Sequence, residues 1–161
     1  MTPIPPITPY LFVSDAAAAI EFYKQGFGAV QEGEVHLMPG TNKIMHARLL
    51  INGSLLMLAD EFPQGGAKSE TPDALGGSPI MLALNLEDVQ TFWDRAVAAG
   101  AIVTMPLALQ FWGDKYGQMT DPFGHKWSLS QTMRVMTDAE MQDAAETMLE
   151  EKGTLMGSPD A

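Results

Sequence analysis

The run Ile80-Met81-Leu82-Ala83-Leu84-Asn85-Leu86-Glu87-Asp88 restates one already present at Ile7-Thr8-Pro9-Tyr10-Leu11-Phe12-Val13-Ser14-Asp15. Each is an apolar, strand-forming segment closed by a polar pair, and each opens a stretch with helical spacing. Asp or Ser in front of such a stretch is a helix N-cap, because its side-chain oxygen accepts an otherwise orphaned N–H of the first turn. After Asp15 the chain is alanine-rich and carries Ile20, Phe22, Tyr23 and Phe27, with Gly26 and Gly28 as stop signals. After Asp88 it carries Phe92, Trp93 and Val97 and runs into Ala99-Gly100-Ala101. Superposing Asp15 on Asp88 places Leu11 on Leu84 and Val13 on Leu86. A slip of one residue then places Gly28-Ala29 on Gly100-Ala101.

Beyond each helix the pattern is of strands and tight turns. In the first unit the strands fall at 30–38, 43–51 and 54–60, with Asn52-Gly53 as a two-residue hairpin loop. In the second they fall at 102–105, 117–120 and 126–130, with Asp121-Pro122-Phe123-Gly124 as the turn. The chain therefore divides into a βαβββ module over residues 1–61, a Gly- and Pro-rich linker over 62–79, a second βαβββ module over 80–132, and a C-terminal segment over 133–161. In that last segment Thr137 and Glu140 form a capping box. Met141, Ala144, Ala145, Met148 and Leu149 follow at helical spacing, which predicts an amphipathic helix covering core or a subunit seam. The fold class is α+β.

Composition excludes several functions. The net charge is -11, and only 9 Lys and Arg are spread along the chain, so no basic stripe exists to neutralise nucleic-acid phosphates. With no cysteine, disulfides, thiolate metal sites and a cysteine nucleophile are ruled out. No signal-like start and no apolar run of bilayer length occur, so a cytoplasmic protein without membrane attachment is expected. No Gly-x-Ser-x-Gly elbow, Walker loop or dinucleotide fingerprint is present either.

The repeat, taken with Met45-His46-Ala47, Asn52-Gly53, Gly113-Asp114-Lys115-Tyr116-Gly117 and Asp121-Pro122-Phe123-Gly124-His125-Lys126-Trp127, resembles the PhnB-like branch of the vicinal-oxygen-chelate superfamily, the glyoxalase and bleomycin-resistance fold. The similarity runs over roughly residues 5–132, and the Asp121–Trp127 stretch is its most distinctive part. The resemblance implies a cup-shaped, curved mixed sheet, often completed in a homodimer. It also implies where metal-dependent members hold their ion: on His, Gln or Glu of the first and fourth strands of each module, pointing into the cup. Here those positions carry Thr8, Met57, Met81 and Ser128. A thioether is too soft for a hard divalent ion, and neither hydroxyl is a usual ligand. No metal at these positions and no cofactor are therefore expected.

Strand alternation identifies the cup wall. With Asn52-Gly53 as the loop, Ile51 pairs with Ser54, Arg48 lies opposite Met57, and His46 lies opposite Ala59. Leu49, Ala47, Leu56 and Leu58 then face the helix. The wall combines Tyr10, Phe12, Leu55, Met57, Met81 and Met119, and an aromatic loop with Trp112 and Tyr116 stands at the mouth. His46 and Arg48 are its polar exceptions. A charge on this face needs either an anionic ligand or a protein carboxylate, for which Asp60, Glu61 and Asp114 are candidates. Apolar walls with a few polar groups describe a small-molecule pocket, and equally a cup filled by its own side chains. The three histidines, His36, His46 and His125, show no ligand spacing; Glu32 and Glu34 near His36 are the available carboxylates for a substitute metal site.

The resulting expectation is a metal-free small-molecule binding protein, with Thr8, Tyr10, Phe12, His46, Arg48, Met57, Met81, Trp112, Tyr116, Met119 and Ser128 contacting the ligand and no catalytic residue assigned. The alternative is a metal-dependent lyase or isomerase with relocated ligands. The resemblance further implies a homodimer. Light scattering at micromolar concentration checks this: a mass twice the 17.4 kDa of one chain is expected, and a concentration-independent monomer mass contradicts it.

Overall fold

Both helix starts form as the sequence dictates. Asp15 accepts a hydrogen bond from the Ala18 N–H at 2.9 Å and starts α1 (Ala16–Phe27), which ends at Gly28 in the left-handed conformation, φ 63°. Asp88 accepts from the Thr91 N–H at 3.1 Å and starts α3 (Val89–Ala98). Gly26 is not a stop signal: it lies inside α1, where the absence of a Cβ lets α3 approach at Ala99. The computed structural model describes residues 3–62 and 68–152; part of the expected linker and the end of the C-terminal segment lie outside this range.

Two βαβββ units follow one another. The first contains β1 (Tyr10–Val13), α1, β2 (Val30–Gln31), β3 (His36–Leu37), β4 (Ile44–Ile51) and β5 (Ser54–Asp60). A short helix, α2 (Pro72–Leu75), interrupts the connection. The second contains β6 (Met81–Asn85), α3, β7 (Ile102–Leu109), β8 (Asp114–Thr120) and β9 (Lys126–Thr132). The curved mixed sheet is built as two sheets, ordered β1-β5-β4-β2 with β3 also on β4, and β6-β9-β8-β7. The parallel pairs β1–β5 and β6–β9 are equivalent under the repeat: Tyr10 lies against Met57 and Ala83 against Ser128.

Two strand expectations need correction. The strand expected at 30–38 is broken into β2 and β3, because Gly33 between them takes φ 78° and turns the backbone out of the ladder. The strand expected at 102–105 continues to Leu109, with its register shifting on either side of Met105, next to Pro106, which has no N–H to give the ladder.

The helix faces of both sheets bury Leu11, Val13, Leu49, Leu56, Leu58, Leu84 and Leu129 beneath α1 and α3. Between the modules the core is aromatic: Phe27 stacks edge-on with Trp127 at 4.8 Å and lies 5.1 Å from Phe92, and Tyr23 meets Trp127 at 5.8 Å. One carboxylate sits among these rings. Asp121, 2% exposed, accepts the Tyr23 hydroxyl at 2.6 Å and the Trp127 indole N–H at 2.8 Å on Oδ2. Its Oδ1 accepts the backbone N–H groups of Phe123 and His125. Burial and the neighbouring Asp121 carboxylate raise the Tyr23 phenol well above its ordinary pKa, so it remains a donor.

The capping box opens α4 (Asp138–Lys152): the Glu140 N–H donates to Thr137 Oγ1 and the Thr137 N–H to Glu140 Oε2. Met141, Ala144, Ala145 and Met148 are half-buried and Leu149 is exposed, so the apolar stripe expected on this helix is only partly covered within one chain. Among the described residues no helix is long and apolar enough to cross a membrane.

Removing the Tyr23 hydroxyl tests the inter-module link. Tyr23→Phe deletes one hydrogen bond to a buried carboxylate and should cost about 1.5–3 kcal/mol in urea unfolding. Asp121→Ala strands four donors and should cost more; equal, near-zero losses would show that the carboxylate does not hold the modules.

Candidate functional site

The hairpin register follows from the Asn52-Gly53 turn. Ile51 pairs with Ser54, Arg48 with Met57 and Ala47 with Leu58, and Asn52 takes the positive φ, 48°, that such a loop requires. Tyr10 and Phe12 on β1, His46 and Arg48 on β4, and Leu55 and Met57 on β5 thus share the face turned away from α1. On the second sheet Met81, Tyr116, Gln118 and Ser128 share the corresponding face, because Gln118 pairs with Ser128 and Ala83 [two residues from Met81] pairs with Ser128 from the other side.

Met119 is not part of the wall. It pairs with Trp127, is 0% exposed and packs in the core on the helix side. The strand β8 begins at Asp114, and alternation along it sends Tyr116 and Gln118 to the cup and Gly117 and Met119 to the helix. Gly117 is required there: a Cβ would lie 2.6 Å from the Trp93 ring. Thr8 lies ahead of β1, and its hydroxyl donates to the Pro5 carbonyl in a local turn.

Arg48 faces the cup as expected, but its partner is none of the three carboxylates considered. Glu32, on the kinked segment after β2, binds it at 2.6 Å, and both side chains are 12% exposed. Asp60 instead accepts the Ala16 and Ile44 backbone N–H groups and ties α1 and β4 to β5. Glu61 accepts the Ser69 hydroxyl.

Beside this ion pair Tyr10, His46 and His36 form a polar corner. The Tyr10 oxygen is 3.1 Å from His46 Nδ1 and 3.2 Å from the Met45 carbonyl, and the rings of His36 and His46 are 6.1 Å apart. Burial, His36 and Arg48, in that order, lower the His46 pKa. On the second half-cup the Gln118 amide donates to the Tyr116 hydroxyl at 2.9 Å, and that hydroxyl points at the Met81 sulfur at 3.8 Å. Trp112 packs edge-on against Tyr116 at 5.5 Å. Between the turn end of the β4–β5 hairpin and β6 lies a cavity of 510 Å³ lined by Pro5, Ile7, Pro9, Leu55, Met81 and Ala83 among others.

The family model for the Glyoxalase/Bleomycin resistance protein/Dioxygenase superfamily matches residues 4–129, both modules of this chain. The chain belongs to that superfamily. The chain is 48% identical over 142 residues to the uncharacterized protein Mb0911c of Mycobacterium bovis, covering 87% of this chain and 91% of that one. Among solved structures it superposes on the Arabidopsis thaliana At5g48480 product with a TM-score of 0.61 and 27% identity, covering 79% of this chain and 98% of the other. It also shares its fold with a PhnB protein from Bacillus cereus, with a TM-score of 0.59 and 21% identity, covering 79% and 99%.

The superfamily's metal does not fit the four positions that would hold it. Met57 and Met81 offer thioethers, the Thr8 hydroxyl is turned to Pro5, and Ser128 is 6% exposed. None supplies the carboxylate or imidazole a hard divalent ion needs. Among the described residues no three His, Asp or Glu side chains gather in a ligand cluster.

Glu32 and His36, weighed in sequence only for a substitute metal site, were not placed beside Arg48 and His46, and Gln118 was missed altogether. The first two belong to a segment whose register depends on the Gly33 kink, which no two-residue period reveals. Gln118 was findable: it is two residues from Tyr116 on the same strand.

The direction of the His46 shift gives a pH test. Its folded pKa lies below the unfolded value of about 6.5, so the unfolded chain binds this proton first as pH falls. The stability it contributes is complete above that value and is lost as pH drops through it toward the folded pKa. Histidine NMR titration should place His46 below 6.5, and Arg48→Gln should raise it; an unshifted His46 contradicts the geometry.

Proposed function

We propose that this chain binds a small molecule in its cup without the superfamily's four-donor metal. The observation that carries this is exposure: Tyr10, Phe12 and Met81 line the cup and remain 41%, 40% and 39% exposed, although Leu55, Met57 and Ser128 on the same face are buried. Large apolar groups held open beside polar donors are what a ligand pocket presents. Its apolar end would lie on Tyr10, Phe12, Met57 and Met81, and Trp112 and Tyr116 would cover a planar group at the mouth. Glu32 already meets the charge of Arg48, which removes the reason to prefer an anionic head group; a neutral polar end facing Tyr10, His46 and Gln118 suits the cup better. A two-fold dimer, with α4 at its seam, is part of the same proposal.

Thermal-shift screening of a metabolite set, with wild type beside Tyr10→Ala and Met81→Ala, tests this. Both variants should lose the shift from each hit, and Met119→Leu, altered on the core side only, should keep it. Hits unaffected by either cup variant would place the ligand elsewhere. Protein purified without an affinity tag should show no metal loss on Met57→Ala or Ser128→Ala.

A further inference from the structure

His36 and His46 are directly opposed across the β3–β4 pair. Such residues on antiparallel strands hold their Cβ atoms about 4.5–5.5 Å apart, so two imidazoles there reach a common point above the sheet. Tyr10 fixes the tautomer of one of them. A carbonyl only accepts, so the assignment that satisfies both Tyr10 contacts sends the phenol's single hydrogen to Met45 and has His46 Nδ1–H donate to the phenol oxygen. The lone pair of His46 is then on Nε2. Among the described residues neither that nitrogen nor either nitrogen of His36 makes a hydrogen bond.

The surroundings favour a cation. Arg48, the positive group nearest on this face, is paired with Glu32, and the chain's net charge of -11 draws cations toward it. The donor set is imidazole with a phenol oxygen behind it, which selects late first-row metals over calcium or magnesium.

We propose that His36 and His46 chelate a late first-row divalent cation, Ni²⁺, Cu²⁺ or Zn²⁺, at the rim of the cup, with Tyr10 orienting His46 from behind. A ligating histidine that gives its second N–H to an oxygen partner is the usual arrangement around such ions. The site is distinct from the Thr8, Met57, Met81 and Ser128 positions; it shares Tyr10 and His46 with the polar end of the proposed cup, but binding of the cation alone needs no cup ligand. Two protein donors leave most of the coordination sphere open, so the cation offers vacant positions to water or to a chelating group in the cup.

Cu²⁺ alone is the probe, titrated into tag-free protein by calorimetry and followed by electron paramagnetic resonance. One equivalent with hyperfine structure from two nitrogens is expected. His36→Ala and His46→Ala should each remove one nitrogen from the spectrum and weaken binding at least about tenfold, and Tyr10→Phe should keep both nitrogens while weakening binding by about tenfold. His125→Ala and Met57→Ala should change neither quantity. The proposal is overturned if wild type binds Cu²⁺ no more tightly than the His36→Ala/His46→Ala double variant, or if both single variants keep a two-nitrogen spectrum. Circular dichroism of each variant separates loss of donors from loss of fold.

Discussion

A single buried carboxylate organises this molecule. Asp121 closes its own turn through the Phe123 and His125 N–H groups and reaches across the module boundary to Tyr23 while holding Trp127 in place. Unpaired, it would be costly to bury; with four donors it fixes where the second hairpin lies against α1. The aromatic packing of Phe27, Phe92 and Trp127 depends on that placement, and so does the direction in which β9 enters the cup. Within the Asp121–Trp127 stretch this constraint uses the Asp121 carboxylate, the Trp127 indole and the backbone N–H groups of Phe123 and His125.

Where local chemistry dictated the backbone, the fold was legible. Asp15 and Asp88 are N-caps, Asn52-Gly53 is a hairpin loop, and the leucine-rich faces lie under the helices, all readable from a few neighbouring residues. Legibility failed where a single residue changed the register. Gly33 kinks the segment that brings Glu32 to Arg48 and His36 to His46, and those partners are remote in sequence but adjacent in space. Met119 was misplaced for a different reason: it stands three residues from Tyr116 on β8, so strand alternation puts the two on opposite faces and Met119 lies opposite Trp127 in the core. The helix α4 was found by its capping box, but capping says where a helix begins and nothing about what it rests on.

The polar groups of the cup are largely occupied within the chain. Arg48 is held by Glu32, and Tyr116 by Gln118 and Met81. What the cup leaves on offer is apolar surface and the histidine corner beside Tyr10. Two of the four positions the superfamily resemblance marks for metal ligands carry methionine, a side chain that adapts its shape and tolerates varied neighbours.

The two sheets also have a mechanical consequence. No backbone ladder joins β1 to β6; the modules are tied by the aromatic packing of Phe27 with Phe92 and Trp127 and by side-chain hydrogen bonds linking Tyr23 to Asp121, Arg95 to the Gly26 carbonyl, His125 to the Phe12 carbonyl and Asn52 to the Asn85 carbonyl. A ladder resists shear at every residue, whereas a seam of this kind resists it only where side chains interlock. The width of the cup is thus set by side-chain packing between the modules, and a substitution in that packing shifts one half-sheet against the other without breaking any strand pairing.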